Sequence, residues 1–484
     1  MQTAKRSVEK SVRGLLVKAR FICLAVVLVL AGSVSVAQGQ SDSSLAGDVR
    51  AKVDQIVQHS LADTGVPSAS VAVVKDGRVA YVHAYGDAHV DPPLPAQTAM
   101  RYSIGSISKQ FTSTAILMLA EQGKLSLDDP VSRFLPTLTR AKEVTIRELL
   151  SHTSGYQDYW PQDYVMPSML QPVTAEHILD IWARKPLDFD PGTKWQYSNT
   201  NYVIAGVIIE KVSGEPLLQF LQEHVFAALG MTRIANVDQK ALGDTDATGY
   251  TRFALGPPRV APKEGPGWLF AAGELAMPAE ELAKWDIAMM DQRLLKPASY
   301  KEMQTEVKLK NGDGTGYALG LQTGQTAGHR NFSHGGEVSG FTSQNIIFPD
   351  DHVAVTVLTN QDAAGAAGSI ARQISALILG GANSAATEKQ SFYRKIFEDL
   401  QRGKIERSLF TSNANYYFSD QALQDFASSL GPLGTLQQFN PTAEEGRGGM
   451  IFRAYRVVFP NKNLTVTIYE MPDGKVEQFL VGAN

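Results

Sequence analysis

The sequence of 484 residues contains a single cysteine, Cys23, and this scarcity excludes several kinds of chemistry. One thiol cannot form an intramolecular disulfide, and it cannot supply the multi-cysteine ligand set of a structural zinc site. Cys23 also lies within an apolar N-terminal run that differs from the rest of the chain. The remaining chain must therefore be stabilised by a packed core, which a hydrophobic content of 44% allows.

Two catalytic signatures are missing as well. No Gly-x-Ser-x-Gly segment is present, which argues against the nucleophile elbow of α/β-hydrolases. No His-Glu-x-x-His segment is present either, and the neighbouring His329 and His334 have no carboxylate cluster beside them in the sequence. We therefore predict neither a metal site nor a cofactor.

The first 37 residues have the composition of a targeting segment. Six basic residues precede the apolar run "FICLAVVLVLAGSVSVA", and Ser35 and Ala37 fit a small-residue cleavage site. We predict a signal peptide over residues 1–37 and a periplasmic or secreted protein without a stable membrane span after cleavage; an uncleaved membrane anchor is the alternative. Cleavage would change the formal net charge from −4 to −9, because the segment carries six basic residues and one acidic residue. Such an acidic protein is a poor partner for nucleic acid.

Residues 45–380 show strand patterns at both ends and helical patterns between them. Apolar residues at helical spacing predict a helix over residues 45–62, and "SASVAVVKDGRVAYVHAYG" predicts a hairpin that turns at residues 75–77. Strand patterns return from Tyr317 onward, and an apolar helix closes the block near Gly380. This order predicts one sheet that is assembled from both ends of the segment and covered by helices.

A second, smaller unit is predicted at the C-terminus. The small and polar residues 381–390 are typical of a linker. Residues 391–484 then predict two helices and a three-strand meander, with turns at residues 460–461 and 473–474. We expect a small α+β accessory domain, and no cluster of residues in it indicates a catalytic role.

The stretch "SIGSISKQFTS" at residues 103–113 combines a potential nucleophile with a potential base. If Ser106 begins a helix, the three-residue spacing places Lys109 on the same face, one turn further on. The N-terminus of that helix offers free N–H groups to an oxyanion, and Gly105 allows a sharp turn before it. Ser-x-x-Lys is common by chance, however, and a second copy occupies residues 7–10.

Two further motifs contain groups that such a site would still need. The only Tyr-x-Asn of the chain occupies residues 197–199, and the only His-x-Gly occupies residues 334–336. The first opens a predicted helix, and the second lies on a predicted strand whose glycines permit a close approach of the backbone. Each motif alone is weak evidence, but their order along the chain favours a shared site.

These motifs and the longer segments around them resemble the serine β-lactamase and penicillin-binding protein superfamily, in particular its branch of class C β-lactamases, DD-peptidases and esterases. The resemblance covers about residues 60 to 380 and includes "TIRELLSHTSGY", "PGTKWQYSNTNYVIAGVIIEKVSG" and "AAGELAMPAEELAKW". It implies an α/β (α+β) fold, with an antiparallel sheet flanked by helices and an all-helical subdomain. It also implies a serine hydrolase that works through an acyl-enzyme.

The resemblance assigns roles to individual residues. Ser106 would attack a carbonyl group, and Lys109 and Tyr197 would share the role of base. Asn199 would bond the amide of the substrate, and the backbone N–H groups of Ser106 and Glu337 would form the oxyanion hole. A cation at Lys109, about 4 Å from the Tyr197 phenol, would lower the pKa of that phenol from ~10 toward ~7. Which group takes the serine proton is left open.

One motif departs from the family pattern. Where relatives have Lys-Thr-Gly, this chain has His334, Gly335 and Gly336, so a permanent charge and a hydroxyl that commonly bind a substrate carboxylate are missing. We therefore expect small esters, amides or peptides without that carboxylate, cell-wall fragments among them, to be the better substrates. A β-lactamase, DD-carboxypeptidase or D-aminopeptidase is the alternative, and a catalytically silent module that binds cell-wall peptides is an alternative of another class. His152, in "SHTSG", is expected to stabilise its loop.

Overall fold

The computed structural model describes residues 44–484 except residues 163, 255, 327, 381–384, 448–449 and 484. The predicted signal peptide, with Cys23, lies outside the described residues, and so do residues 381–384 of the predicted linker. Within the described residues, no helix combines the length and the apolar character needed to cross a membrane.

The described helices and strands follow the predicted order of strands, helices and strands, with further elements at the C-terminus. The helices are α1 (Gly47–Thr64), α2 (Ser108–Glu121), α3 (Ile146–Leu150), α4 (Ala175–Ile178), α5 (Asn199–Ser213), α6 (Leu217–Leu221), α7 (Ala227–Leu229), α8 (Phe270–Gly273), α9 (Ala279–Met290), α10 (Pro297–Gln304), α11 (Ala366–Leu379), α12 (Ala385–Gln401), α13 (Ser412–Tyr417) and α14 (Asp420–Leu430). The strands are β1 (Ser68–Lys75), β2 (Arg78–Val90), β3 (Pro93–Pro95), β4 (Tyr102–Ser103), β5 (Ala235–Asn236), β6 (Tyr250–Thr251), β7 (Arg259–Val260), β8 (Leu275–Met277), β9 (Gln322–Thr326), β10 (His329–Val338), β11 (Phe341–Phe348), β12 (Val353–Thr359), β13 (Gln438–Arg447), β14 (Met450–Phe459), β15 (Lys462–Glu470) and β16 (Val476–Ala483).

The main sheet contains strands from both ends of the larger segment. Among the described residues it has seven antiparallel strands in the order β3-β2-β1-β12-β11-β10-β9. The two ends meet where β1 pairs with β12, with Ala69 opposite Thr359. The predicted sheet, assembled from both ends and covered by helices, is confirmed.

Strand β1 is buried on both of its faces, which explains its continuous apolar sequence. Ala72 and Val74 pack into a large core with the helices α2, α5 and α9 on one face of the sheet. Val71 and Val73 pack on the other face, in a core that includes residues of α1 and α11. The hairpin from β1 to β2 turns at Asp76 and Gly77, which both have positive φ angles (52° and 69°), as a type I′ turn requires.

The C-terminal elements include one strand and one short helix, α13, more than the two helices and three strands predicted. The sheet has four strands in the order β13-β14-β15-β16, and the two predicted turns lie between the last three. Strand β13 escaped prediction because it contains Pro441 and several charged residues, which are depleted in strands. It lies at the edge of its sheet, and its register shifts between Pro441 and Ala443, where a proline is tolerated.

These C-terminal elements have a hydrophobic core of their own. Aromatic side chains of α12, including Phe397, pack there against Phe439, Tyr455 and Phe459 of the sheet. Helix α12 already begins at Ala385, so residues 385–390 of the segment predicted as a linker are helical.

Candidate active site

Ser106 lies in a short 3-10 turn, Gly105–Ile107, that leads directly into α2. Gly105 has a φ angle of +50°, and a Cβ atom there would lie 2.8 Å from the backbone nitrogen of Glu337. The position therefore needs glycine both for its conformation and for the contact. The sequence-based expectation that a sharp turn at Gly105 precedes the helix agrees with this geometry.

Strand β10 approaches this turn closely. A Cβ atom at Gly336 would lie 2.0 Å from the carbonyl oxygen of Ile104, so only glycine allows the two backbones to touch. The hydroxyl of Ser343 also donates a hydrogen bond to that carbonyl, at 2.9 Å. As a result, the backbone of Glu337 lies beside the backbone of the Ser106 turn, which is the arrangement that the predicted pair of oxyanion donors requires.

Lys109 is fully buried, and its amine has three neighbours. Its Nζ atom lies 2.9 Å from Ser106 Oγ, 2.8 Å from Asn199 Oδ1 and 2.8 Å from the carbonyl oxygen of Ala272. Burial lowers the pKa of Lys109 to about 7, although the carboxylate of Asp158 acts in the opposite direction. A neutral amine has two N–H donors and one lone pair, which match two pure acceptors and one hydroxyl. The amine can therefore accept the proton of Ser106.

Tyr197 lies close to both Ser106 and Lys109. The Nζ atom of Lys109 is 5.0 Å from the centre of the Tyr197 ring. Burial raises the pKa of the Tyr197 phenol above its ordinary value, and the interaction with Ser106 offsets only a part of this effect. The expectation that Lys109 would lower this pKa is thus wrong in direction, because the phenol is desolvated and Lys109 is itself driven toward its neutral form.

Asn199 begins α5 and connects Lys109 to an acidic residue that the sequence did not single out. Its Oδ1 atom accepts from Lys109, its backbone N–H donates to Asp158 Oδ1 at 2.9 Å, and its Nδ2 lies 3.3 Å from Asp158 Oδ2. Burial raises the pKa of Asp158, and its hydrogen bonds with Trp160 and Asn199 and the nearby Lys109 oppose this. Asp158 is recognisable only in the folded chain, because no motif surrounds it in the sequence.

His334 is a buried and neutral histidine. Its Nε2 atom lies 2.8 Å from the hydroxyl of Tyr317, and its Nδ1 contacts the carbonyl oxygen of Gly335. The carbonyl can only accept, so Nδ1 carries the proton and Nε2 accepts from Tyr317. Burial, with Lys109 as a second cause, lowers the pKa of His334 to about 3. His334 therefore offers no cation to a substrate, in agreement with the expectation from the sequence.

His152 connects two loops of the site. It has a φ angle of +60°, its Nδ1 accepts the backbone N–H of Ser198 at 3.2 Å, and its ring lies 4.2 Å from the ring of Tyr197. Its carbonyl also accepts the backbone N–H of Gln196 at 3.0 Å. These contacts fit the predicted loop-stabilising role, and they fix the position of Tyr197.

A cavity of about 760 Å³ brings most of the predicted residues together. Its walls include Ser106, Tyr197, Asn199, His334, Gly335, Gly336 and Glu337, while Lys109 lies behind Ser106. This volume is typical of small-molecule sites. In the described part of the chain, the residues whose ligand atoms could hold a metal together are Glu215, Glu223 and His224, and none of them lines this cavity.

Several polar residues of the cavity wall were not predicted, and two of them lie near the motif at residues 334–336 or add a charge to the wall. Arg372 of α11 is exposed at the wall, and Gln344 of β11 lies opposite Gly335 in the sheet. The Oε1 atom of Gln344 is 3.6 Å from the point where a Cβ atom of Gly335 would lie. A polar group from the neighbouring strand thus occupies the region that a side chain at position 335 would reach.

Comparisons with known proteins agree with this geometry. The Beta-lactamase family model matches residues 53–379. A penicillin-binding protein of Bacillus subtilis (strain 168) is 30% identical over 309 residues, which cover 60% of this chain and 68% of that protein. A D-stereospecific amidohydrolase from Streptomyces sp. is 28% identical with a TM-score of 0.60, covering 68% of this chain and 98% of that chain.

Another solved structure matches the fold over a larger share of this chain. The octameric penicillin-binding protein homologue from Pyrococcus abyssi has a TM-score of 0.62 and 23% identity, and the match covers 89% of this chain and 99% of that chain. A match of this length has to include residues beyond position 380.

Proposed function

Since this chain belongs to the Beta-lactamase family, we propose that it is an exported serine hydrolase that cleaves esters, amides or peptides through an acyl-enzyme on Ser106. One observation carries the proposal: the buried amine of Lys109 lies 2.9 Å from Ser106 Oγ and has a pKa of about 7. A base whose pKa lies near the working pH is the kind of group that activates a hydroxyl. Export is supported by the composition of residues 1–37.

The proposed reaction begins with proton transfer from Ser106 to neutral Lys109. The Oγ atom of Ser106 attacks the substrate carbonyl, and the backbone N–H groups of Ser106 and Glu337 stabilise the oxyanion. Lys109 returns the proton to the leaving group, with the neutral Tyr197 phenol beside it as a donor. Water then hydrolyses the acyl-enzyme by the reverse sequence of proton transfers.

The preferred substrates are proposed to lack a carboxylate near the reacting carbonyl. Neutral His334 and the side-chain-free Gly335 and Gly336 leave this motif of strand β10 without a cation for a carboxylate. The amidohydrolase from Streptomyces sp. acts, by its name, with D-stereospecificity. Amides and esters of D-amino acids are therefore the first substrates to test.

A second candidate activity is the hydrolysis of substrates that carry a carboxylate, such as D-Ala-D-Ala peptides or β-lactams. The observation in its favour is Arg372, which brings a permanent cation to the cavity wall from α11. Arg372→Gln should then lower kcat/KM for a D-Ala-D-Ala peptide about tenfold or more and leave the value for a neutral amide within about twofold. Equal effects on both substrates would exclude this role for Arg372.

The test of the proposal is a substrate panel on the wild-type protein and on Ser106→Ala. The panel contains a nitrophenyl ester, a D-amino acid amide, a D-Ala-D-Ala peptide and a penicillin, and labelling by a fluorophosphonate reports the nucleophile. Ser106→Ala should abolish labelling and turnover, whereas Ser339→Ala, another serine of the cavity wall, should retain both. A loss below about tenfold, or ~1.4 kcal/mol of barrier, would show that another group carries the chemistry. A wild-type protein that is neither labelled nor active would be the silent binding module.

A further inference from the structure

A second cavity, of about 340 Å³, adjoins the first and shares Gln322 with it. Its walls include Trp195, Tyr317, Gln322, Gln325, Asn331 and Ser333, and the other lining residues are glycines and threonines. None of these described residues carries a formal charge. The volume is at the lower end of the range for small-molecule sites, so the cavity suits a single ring better than a long chain.

The register of the sheet connects this cavity to the catalytic one. Strand β9 pairs with β10 only from Thr326 opposite His329 to Gln322 opposite Ser333. Among the described residues, the rest of this edge of β10, from His334 to Val338, has no strand beside it. A substrate that lies along this open edge continues the line of β9, so one of its ends points at Gln322 and into the second cavity.

The second cavity combines an aromatic face with neutral hydrogen-bonding groups. Trp195 is 39% exposed, and its ring is held by Tyr317 at 6.0 Å and by His152 at 6.3 Å between ring centres. In the described part of the chain, the side chains of Gln322 and Gln325 make no hydrogen bond, and both are exposed. These amides offer two donors and two acceptors each to a ligand.

This combination fits a sugar ring better than a charged or a purely apolar group. One face of a pyranose ring presents C–H groups that can pack on an indole, and its rim carries hydroxyl groups that bond to amides. An ionic group would find no counter-charge among the lining residues. We propose that this cavity is a subsite for a neutral sugar ring, carried by the part of the substrate that extends past Gln322. The proposal rests on the proposed function, because that function supplies the substrate.

The binding test avoids catalysis altogether. N,N′-diacetylchitobiose is titrated into the Ser106→Ala protein by calorimetry, and saturable binding with a millimolar Kd or tighter is expected. Trp195→Ala should weaken this binding at least tenfold, and Gln322→Ala, at an exposed position that leaves the fold intact, should weaken it about threefold or more. Phe253→Ala removes another exposed aromatic side chain, which lines neither cavity, and should change nothing.

A kinetic experiment tests whether the subsite contributes to substrate binding in the reaction. For the wild-type protein, the KM of a nitrophenyl ester that carries N-acetylglucosamine should be about tenfold lower than the KM of the same ester without the sugar. In Trp195→Ala, the two KM values should be nearly equal. Absence of binding, or binding that Trp195→Ala and Gln322→Ala leave unchanged, overturns the subsite. A protein that binds the disaccharide but cleaves no ester or amide would retain the subsite and refute the proposed hydrolase.

Discussion

Lys109, His334 and Tyr197 lie in one buried wall, and burial changes the pKa of each side chain toward its neutral form. The pKa of Lys109 is lowered to about 7, that of His334 to about 3, and that of Tyr197 is raised. Desolvation is the first cause in all three cases, because a low-dielectric environment disfavours any charge. At the residue scale, His334 and Tyr197 are therefore neutral near pH 7, and of these three side chains only Lys109 changes its protonation state around that pH.

The pH dependence of the reaction should report the titration of Lys109. Because the base must be neutral, kcat/KM should rise with pH below about 7 and level off above it. The negative charge of Asp158 raises the pKa of Lys109, so the isosteric Asp158→Asn should move the midpoint of this rise to lower pH, by at least about half a unit. The measurement is a pH profile of kcat/KM on a neutral ester.

The control for this profile is His334→Gln, which removes an imidazole group that also lies close to Lys109. Because the pKa of His334 is about 3, the midpoint near 7 should stay in place in this variant. A midpoint that disappears with His334, or one that Asp158→Asn leaves unchanged, would assign the titration to a group other than Lys109.

At the scale of elements, the site depends on how closely β10 approaches the turn before α2. A methyl group at position 336 would lie 2.0 Å from the carbonyl oxygen of Ile104, and the nearest atom to a methyl group at position 335 would be 3.6 Å away. Gly336→Ala should therefore push the strand away from Ser106, whereas Gly335→Ala should fit without a shift.

Gly336→Ala is expected to reduce kcat by about a hundredfold or more, since the loss of one oxyanion donor costs 10²–10³-fold. Gly335→Ala should reduce kcat less than about fivefold and serves as the matched control. Both variants are compared by ester turnover and by thermal unfolding. If both retained similar activity, the close contact between β10 and the turn would have no role in catalysis.

A buried carboxyl group between α8 and β8 should make the protein less stable as the pH rises from about 4.5 to about 8. Glu274 accepts a hydrogen bond from Asn236, while its Oε1 atom is buried without a partner among the described residues. Burial raises the pKa of Glu274 from 4.5 to about 8, so the folded protein holds this proton more tightly than the unfolded chain does. This contribution to stability is complete below about pH 4.5 and is lost as the pH rises toward about 8.

In the Glu274→Gln variant, the side chain at this position cannot ionise. Its contribution to the free energy of unfolding should therefore not change with pH. Relative to the wild type, the variant should gain unfolding free energy between pH 5 and 9, on the order of 4 kcal/mol. Urea unfolding at several pH values measures this change, and Glu176→Gln, at an exposed position of α4, should show no comparable trend. A constant difference between the Glu274→Gln variant and the wild type across this range would mean that Glu274 ionises normally in the fold.

At the scale of the whole molecule, the chain is expected to be modular. Helix α11 ends at Leu379 and packs in the core on one face of the main sheet, whereas the elements from α12 onward have a separate core. Each part thus buries its own apolar surface, which is what independent folding requires. The predicted division at residues 381–390 remains a prediction.

Truncation tests this division. Because α12 begins at Ala385, the chain should be cut within residues 381–384. The truncated protein should fold cooperatively and keep its kcat/KM for small esters within about twofold. Aggregation, or loss of activity on these esters, would show that the C-terminal elements belong to the catalytic fold.

Local patterns in the sequence were sufficient to predict many of the residues that form the candidate active site. The spacing of Ser106 and Lys109 follows from helical periodicity, and the freedom of Gly105 and Gly336 to turn or to approach another backbone follows from the residue type. The hairpin at Asp76 and the sheet built from both ends also follow from local patterns and their order. These features depend on neighbours in sequence or on the chain order, so the sequence by itself determined them.

The tertiary structure decided what depends on contacts between distant segments. Asp158, Tyr317, Gln344 and Arg372 reach the site from separate loops, strands and a helix, and no pattern in the sequence marks them. The pKa values of Lys109 and Tyr197 follow from desolvation, which is a property of the packed interior and not of neighbours along the chain. The sequence already shows that strand β10 has His334 where relatives have lysine, but only the fold shows that Arg372 of α11 brings a cation to the cavity wall.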